Sequence, residues 1–247
     1  MPETRLIMGM PVTLSIISEN NVQAELEKVF AYFHSIDERF STYKETSEIS
    51  KINRGEIRTE EYSKEMKDVF KKSEETKQLT HGYFDIIKPN GSYDPSGLVK
   101  GLAIYNAAKI IAADGYDNFF VDVAGDVQVK RNKELEPWSI GIRNPFKREE
   151  NVKIVYIRNE GIATSGTYIR GAHIYNPLNP QEQLNEIVSL TVIGPNIYEA
   201  DRFATAAFAM GKNGIVFIEH LPGFEAYVID VKGIATSTTG FSKYTQK

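Results

Sequence analysis

Apolar positions in this chain follow a helical period in some segments and a strand-like pattern in others. Between residues 21 and 36 they recur every three or four positions, which predicts an amphipathic helix. A second helix is predicted over 66–79, ending before Gly82. A third helix, rich in small residues, follows Gly97 and ends at Gly115.

Runs of β-branched and apolar residues predict strands at 118–123, 137–143, 152–158, 187–193 and 225–231. The stretch from Arg5 to Ser18 also has strand-like composition, with Gly9 and Pro11 disturbing its middle. Helices and strands come partly in blocks and do not alternate regularly, which favours an α+β fold over a doubly wound parallel sheet. No linker, charge run or short repeat marks a boundary, so a single domain over 1–247 is the simplest interpretation.

One more helix is predicted at 197–210. Asn196 is a suitable amino-terminal cap, Glu199 would complete a capping box, and Gly211 is a natural stop. These signals lie within a few residues of the helix ends, so the prediction rests on local sequence alone.

Asp201 and Thr205 are four residues apart on this helix, which puts a carboxylate and a hydroxyl on one face. These hard oxygen ligands suit Mg²⁺ when a substrate phosphate completes the coordination shell. The pair alone is weak evidence, because most pairs of this kind are solvated or hydrogen-bond locally. Its weight depends on whether other segments bind a phosphate-bearing substrate.

Composition narrows the class of protein. The chain has 247 residues, of which 41% are apolar and 25% charged, as in an ordinary globular protein with a substantial core. Its net charge of −4 provides no basic face in bulk, which argues against a nucleic-acid partner. The lack of cysteine excludes disulfides, thiolate metal sites and a cysteine nucleophile.

No apolar run approaches the ~20 residues that span a bilayer. The amino terminus also lacks the apolar core of a signal peptide, and no cysteine is present to carry a lipid anchor. We therefore expect no transmembrane segment and a cytoplasmic location. A cell-envelope form stays open if the natural chain begins further upstream.

The loop at 40–53 is polar and contains one aromatic ring and a carboxamide near its end. Tyr43 is able to stack on a planar heterocycle, and Asn53 to read its edge through a donor and an acceptor. The alternative is that Ser47 and Glu48 start a short helix while Tyr43 packs on the surface. On the residues alone, the second interpretation is preferred.

Two further segments offer contacts to a phosphate. Ser96 and Gly97 expose backbone amides at a helix start, with Lys100 one turn inside, although a capped helix with a surface lysine explains them equally well. Asp126 ends a small-residue turn, where it is expected to hydrogen-bond local backbone.

The densest polar cluster runs over 163–174, where hydroxyls surround a glycine ahead of Arg170 and His173. This set is suited to holding phosphate oxygens and supplying a base. A Ser/His/Asp hydrolase is the competitor, but Ser165 does not lie in a Gly-x-Ser-x-Gly elbow.

Taken in order, these segments resemble the ApbE family, the FAD:protein FMN transferases. The resemblance extends from Met8 to Thr205 and combines seven motifs, each weak alone and strong jointly: Ser-Thr-Tyr…Ser-Glu-x-Ser-x-x-Asn at 41–53, Gly82-x-Phe84-Asp85, Asp94-x-x-Gly97-x-x-Lys100-Gly101, Ala124-Gly125-Asp126, Ala163-Thr164-Ser165-Gly166, His173-Ile174 and Ala200-Asp201-x-x-Ala204-Thr205. It implies a single ApbE-like, T-fold-like α+β domain with antiparallel or mixed sheets and packed helices.

The resemblance also implies a reaction in which FAD binds with Mg²⁺ and a threonine or serine hydroxyl of an acceptor flavoprotein attacks the FMN-side phosphorus. AMP leaves, and FMN stays on the acceptor through a phosphoester bond. Carried over by position, the Mg²⁺ ligands are Asp201, Thr205 and the carbonyl of Gly97, and the catalytic groups are His173 as the base, Lys100 and Asp201. The FAD-binding positions are Met8, Tyr43, Asn53, Phe84, Asp85, Lys100, Ser165, Gly166 and His173.

The chain departs from the family pattern after His173, where the usual His-Ile-x-Asp-Pro-x-Thr-Gly is replaced by Asn176, Asn179 and Pro180 at the acid, hydroxyl and glycine positions. Ala124 also replaces a usual glycine, and Tyr105 a common acid. Three hypotheses follow: flavin transfer to a protein, hydrolysis of FAD to FMN and AMP, or FAD binding without catalysis.

Overall fold

A computed structural model describes residues 1–131, 134–147, 149–167 and 174–246 of the chain. Its core is an eight-stranded sheet in which every neighbouring pair is antiparallel, in the order β1-β2-β3-β4-β7-β8-β9-β10. These strands are β1 Glu3–Ile7, β2 Met10–Ile16, β3 Phe119–Val123, β4 Asp126–Lys130, β7 Gly161–Gly166, β8 Ile187–Gly194, β9 Glu225–Asp230 and β10 Ala235–Ser237. A separate pair consists of β5 Trp138–Arg143 and β6 Asn151–Ile157.

Helices cover one face of the large sheet. They are α1 Gln23–Phe40, α2 Glu48–Asn53, α3 Lys64–Leu79, α4 Ser96–Ala113, α5 Ile197–Ala209 and α6 Gly214–Glu219. Short 3-10 helices lie at Thr59–Glu61, Gly211–Asn213 and Thr239–Tyr244. The combination of helices with antiparallel sheets confirms the predicted α+β class.

The middle of the large sheet is buried on both faces. Ala163 and Val192 point into the main core beneath the helices, whereas their neighbours Ile162 and Ile193 point into a second core. Successive residues of a strand face opposite sides, so β7 and β8 each supply both cores. The β5–β6 pair and the last 3-10 helix cover the second face through Val155 and other residues, namely Ile142, Ile157, Phe241 and Tyr244.

The predicted strand at 5–18 is in fact a hairpin. Met8 and Gly9 connect β1 to β2 with φ values of 58° and 69°. Two consecutive residues with positive φ form the tight turn whose twist matches paired strands, and glycine at the second position makes it accessible. The disturbance seen at Gly9 in the sequence is therefore a turn and not an irregularity within one strand.

Local signals predicted the helix starts well. The Asn196 side chain accepts a hydrogen bond from the Glu199 N–H at 3.0 Å, which confirms the cap of α5. The capping box is wrong, because the Glu199 carboxylate accepts from Arg202 Nε at 2.8 Å instead. Ser47 caps α2, so the preferred short helix after Ser47 is confirmed. The prediction missed β4, β7, β10 and α6.

Strand register defines the two ends of the large sheet. The β3–β4 turn, the last residue of β7, the first residue of β8 and the β9–β10 turn all lie at one end, which we call the cleft end. The opposite end contains Gly161, where a Cβ atom would lie only 2.0 Å from the Ile197 nitrogen. The start of α5 is thereby anchored at the far end of the sheet. Among the described residues, no helix is long and apolar enough to cross a bilayer.

Helices α4 and α5 pack at unusually close range through glycine. A Cβ atom at Gly101 would lie 2.6 Å from Asp201 Cβ and 2.9 Å from the Ile197 carbonyl oxygen. At Gly97 the nearest atom, Thr205 Cγ2, would be 3.2 Å away. The helix pair therefore tolerates a side chain at Gly97 far better than at Gly101.

We predict that Gly101→Ala lowers the free energy of unfolding by about 1–3 kcal/mol, because overpacking outweighs the better helix propensity of alanine. Gly97→Ala is the matched control on the same helix and is expected to change stability by less than half as much. Urea denaturation followed by circular dichroism measures both. Equal stability of the two variants would contradict the packing argument.

Candidate functional site

The site begins with the contact between α4 and α5. The Gly101 N–H donates a hydrogen bond to Asp201 Oδ2 at 2.8 Å. In a regular helix this N–H would bind the carbonyl four residues earlier, that of Gly97. Asp201 Oδ2 therefore competes with the Gly97 carbonyl for the Gly101 N–H. This competition favours a Gly97 carbonyl oxygen that is available to a ligand beside Thr205.

A buried charge cluster lies next to this contact. Lys100 Nζ forms an ion pair with Asp126 Oδ2 and lies 3.4 Å from Asp201 Oδ1. The two carboxylate side chains are 3% exposed and the lysine side chain 17%. Two acids share one ammonium, so the cluster has a net negative charge when both acids are ionised. Such a site attracts a further cation.

Burial raises the pKa of Asp201 to about 6 because the ionised carboxylate has lost its hydration, while Lys100 opposes the rise and Asp126 adds to it. The carboxylate is therefore held in a state that costs folding energy. A group kept ionised in this way is typical of a functional site.

Asp126 has a different role from the local turn bond expected from the sequence. The turn after β3 is closed by Asp122, whose Oδ1 accepts the Gly125 N–H at 2.7 Å. Asp126 instead accepts the Thr164 N–H at 2.9 Å from β7 and pairs with Lys100. It thus joins α4 to the sheet, a nonlocal role that the turn motif did not reveal.

A cleft opens above this cluster at the cleft end of the sheet. Eight of the predicted site residues line it: Phe84, Asp85, Gly97, Lys100, Ser165, Gly166, Asp201 and Thr205. They come from the loop after α3, from α4, β7 and α5, so the fold brings together four segments that are distant in sequence. The remaining lining residues are Tyr83, Lys88, Asp94, Ser96, Ala124, Asp126, Thr164, Ile174, Tyr175 and Pro177.

Three predicted FAD-binding residues are not among those lining this cleft. Met8 lies in the β1–β2 turn, and the Tyr43 side chain is 98% exposed. Asn53 is occupied by the backbone of Tyr93, donating to its carbonyl at 2.9 Å and accepting its N–H at 2.7 Å. This reciprocal pair uses the donor and acceptor that were expected to read a heterocycle, and it fixes the loop that leads into the cleft.

His173 lies outside the described residues, and the segment that follows it lines the cleft. The Tyr175 hydroxyl donates to the Ile87 carbonyl at 3.3 Å, and burial raises the pKa of this tyrosine. Asn176 is buried and closes its own turn, since its Oδ1 accepts the Leu178 N–H at 3.0 Å. Its Nδ2 donates to Glu182 at 2.6 Å. Asn176 therefore stabilises the segment that forms this wall of the cleft.

Two charged residues that line the cleft, Lys88 and Asp94, were not among the predicted site residues, although Asp94 begins one of the motifs that carry the resemblance. Lys88 and Asp94 form an ion pair of 2.6 Å, and Asp94 also accepts the Ser96 N–H at 3.2 Å. Asp85, which was predicted, pairs with Lys77 at 2.6 Å. The position of Asp94 just before a helix start was the available signal.

The donors present fit a hard divalent cation. Asp201 Oδ1, the Thr205 hydroxyl and the Gly97 carbonyl are oxygen ligands of the kind that Mg²⁺ prefers, and they lie beside an excess of negative charge. Within the described residues, no group of three His, Cys, Asp or Glu side chains is arranged to hold a metal alone. A cation here would be held by one carboxylate, a hydroxyl and a carbonyl, and phosphate oxygens of a substrate would complete its coordination shell.

Comparison with known proteins gives consistent results. The model of the ApbE family matches residues 8–90 and 87–228. The FAD:protein FMN transferase of Klebsiella pneumoniae is 30% identical over 155 residues, which cover 59% of this chain and 44% of the relative. The enzyme of the same name from Treponema pallidum is 26% identical over 156 residues, covering 55% of this chain and 43% of the relative. The chain thus matches less than half the length of these curated relatives.

Solved structures show the same fold. The ApbE protein of Thermotoga maritima superposes with a TM-score of 0.88 at 21% identity, covering 100% of this chain and 99% of that one. The flavin transferase ApbE of Vibrio cholerae gives a TM-score of 0.85 at 20% identity, covering 99% of this chain and 98% of that one. Because the family model matches most of this chain, residues 8–90 and 87–228, the chain belongs to the ApbE family.

Proposed function

We propose that this protein transfers FMN from FAD to a threonine or serine hydroxyl of an acceptor flavoprotein, forming a phosphoester bond and releasing AMP. The observation that carries the proposal is the buried Lys100–Asp126–Asp201 cluster at the base of the cleft, next to Thr205 and Gly97. Curated relatives of the chain are named FAD:protein FMN transferase, which supports the same reaction.

The reaction exchanges one phosphorus–oxygen bond for another. The acceptor hydroxyl oxygen forms a bond to the FMN-side phosphorus while the bond from that phosphorus to the bridging oxygen breaks, and AMP leaves with the bridging oxygen. The hydroxyl proton passes to a base, a role that the resemblance assigns to His173. Asp201, Thr205 and the Gly97 carbonyl would hold Mg²⁺, which when bound neutralises charge on the phosphate oxygens.

Lys100 has two tasks in this scheme. Without substrate its ammonium compensates the charge of Asp126 and Asp201, so the site folds despite two buried acids. With a pyrophosphate present, the same ammonium would donate to phosphate oxygens where negative charge increases during the reaction. Asp126 holds the lysine in place from the sheet side.

Hydrolysis of FAD to FMN and AMP, with water as the acceptor, is the second candidate function. The observation that favours it is the self-contained turn formed by Asn176, Leu178 and Glu182, where the chain departs from the family motif. This wall contributes directly to the cleft through Tyr175 and Pro177. A change in it would alter access by a protein hydroxyl without removing the charge cluster.

We predict that the purified protein, given FAD and Mg²⁺, transfers flavin covalently to proteins of a flavin-depleted lysate of its own organism. In-gel flavin fluorescence under denaturing conditions detects the labelled acceptor, and intact-mass measurement confirms a gain of one FMN. Release of AMP in the absence of any acceptor would support hydrolysis instead. Tight FAD binding with neither product would identify a non-catalytic flavin-binding protein.

We predict that Asp201→Asn abolishes Mg²⁺-dependent turnover and the Mg²⁺-induced rise in melting temperature, while the melting temperature without metal is retained or raised at pH 7.5. Asparagine can still accept the Gly101 N–H, but it no longer buries a negative charge. Asp122→Asn is the matched control, because Asp122 is a neighbouring carboxylate that does not line the cleft. Unchanged turnover of the Asp201 variant would remove it from the metal site.

We predict that Lys100→Met destabilises the protein by roughly 3–5 kcal/mol at neutral pH, because it leaves two buried carboxylates without a counter-ion. Added Mg²⁺ should restore part of this loss in a thermal melt. Lys88→Met removes a lysine from the mouth of the same cleft, but the side chain of Lys88 is 41% exposed. We expect a cost of about 1 kcal/mol or less for this control. Equal costs for both variants would contradict the charge-cluster argument.

A further inference from the structure

Three exposed apolar side chains gather at the cleft end of the sheet. Phe146 lies between β5 and β6, while Val231 and Ile234 lie in the β9–β10 turn, and they are 56%, 48% and 60% exposed. A Cβ atom at Gly233 would be 3.7 Å from Phe146 Cε2, so the two connections touch. We call these three residues the apolar rim. Single exposed apolar residues are ordinary, whereas a contiguous set marks an interaction surface.

The apolar rim is held in a defined shape. Asp230 Oδ1 accepts the N–H groups of Lys232 and Ile234 at 2.8 and 2.9 Å, which fixes the β9–β10 turn. The Val231 N–H donates to the Glu186 carbonyl at 3.3 Å. Glu186 immediately precedes β8 and ends the segment that lines the cleft at Ile174. The rim is therefore connected through backbone to the wall of the cleft.

Sheet geometry gives the lateral spacing between the β9–β10 turn, which carries Val231 and Ile234, and the end of β7 at the cleft. Strand β9 is two strands away from β7, and neighbouring strands are about 4.8 Å apart, which gives roughly 10 Å. A standard protein interface covers about 800 Å² on each partner, equivalent to a disc of roughly 16 Å radius. A protein that docks over the cleft mouth with an interface of this size therefore reaches the β9–β10 turn, whereas a ligand the size of a dinucleotide has no need of it.

We propose that the apolar rim is the docking surface for the folded acceptor protein. This inference rests on the proposed function, because that function requires a protein hydroxyl at the cleft. The charged neighbour Lys147 is already paired with Glu150 at 3.1 Å. Lys232 is exposed within the β9–β10 turn between Val231 and Ile234, so the rim combines apolar contact with one lysine. The partner is a folded domain that presents apolar side chains beside its reactive threonine or serine.

Two double variants test the docking surface. Phe146→Ser with Ile234→Ser removes the two most exposed apolar side chains of the rim. Ile17→Ser with Leu135→Ser is the matched control, since these residues are 50% and 41% exposed, Ile17 directly follows β2 at the far end of the sheet, and Leu135 lies between β4 and β5. Two substrates are compared: the intact acceptor identified by its FMN mass gain, and a synthetic peptide spanning its modified residue.

We expect the rim variant to raise KM for the intact acceptor by roughly tenfold or more, with kcat little changed. For the peptide, kcat/KM should be the same in the wild type, the rim variant and the control. The control should leave both substrates unaffected. A single Ile234→Lys substitution gives a second measurement in case the double variant unfolds, and thermal melts verify folding of each protein.

Two results would overturn the docking proposal alone: equal loss with protein and peptide, or no loss with either. A wild-type dimer that becomes a monomer in the rim variant, measured by sedimentation velocity, would assign the rim to a second copy of this chain. Failure of the proposed function is distinguishable, because the wild type would then label neither protein nor peptide, and the docking proposal would fall with it.

Discussion

The close approach of α4 and α5 is the constraint on which the site depends. Glycine at position 101 allows the two helices to approach until Asp201 accepts a backbone N–H from the facing helix. Any Cβ at this position would separate the helices and move Asp201 away from Lys100. A small-residue contact, which looks like ordinary helix packing, thus decides where a carboxylate, a hydroxyl and a carbonyl meet.

The charge cluster shows how packing and function oppose each other. Two buried acids that share one ammonium do not contribute to stability as well-packed apolar residues would, because desolvation offsets most of the attraction. The raised pKa of Asp201 reflects the same cost. A folded chain retains such an arrangement when a bound cation or phosphate completes it. The electrostatics of the cleft therefore agree with the proposed chemistry on a pyrophosphate.

The topology of the sheet brings the cleft and the apolar rim to one end. At the cleft end of the sheet, β7 ends, β8 begins and β9 turns into β10. The cleft and the apolar rim therefore lie at the same end. The proposed function uses both features, the cleft for FAD and the rim for the acceptor protein. The β5–β6 pair packs on the opposite face of the sheet through the second core, and its connecting loop brings Phe146 next to Gly233 at the cleft end.

The sequence alone determined the features that depend on neighbouring residues. The cap at Asn196, the helix that carries Asp201 and Thr205, and the α+β class were all predicted, because capping and periodicity act within a few residues. Strand β7 was missed, since its run of small and polar residues forms a strand only through its neighbours in the sheet. The base assigned to His173 stays a prediction.

Only the tertiary structure decided which side chains face the cleft. Asn53 was expected to contact a ligand and instead binds the Tyr93 backbone, while Asp126 was expected to close a turn and instead holds Lys100. Both partners lie distant in the chain, and a single sequence contains no record of such pairs. The Asp201–Thr205 spacing fixed a common helix face, and the packing of α4 against that face made it a candidate metal site.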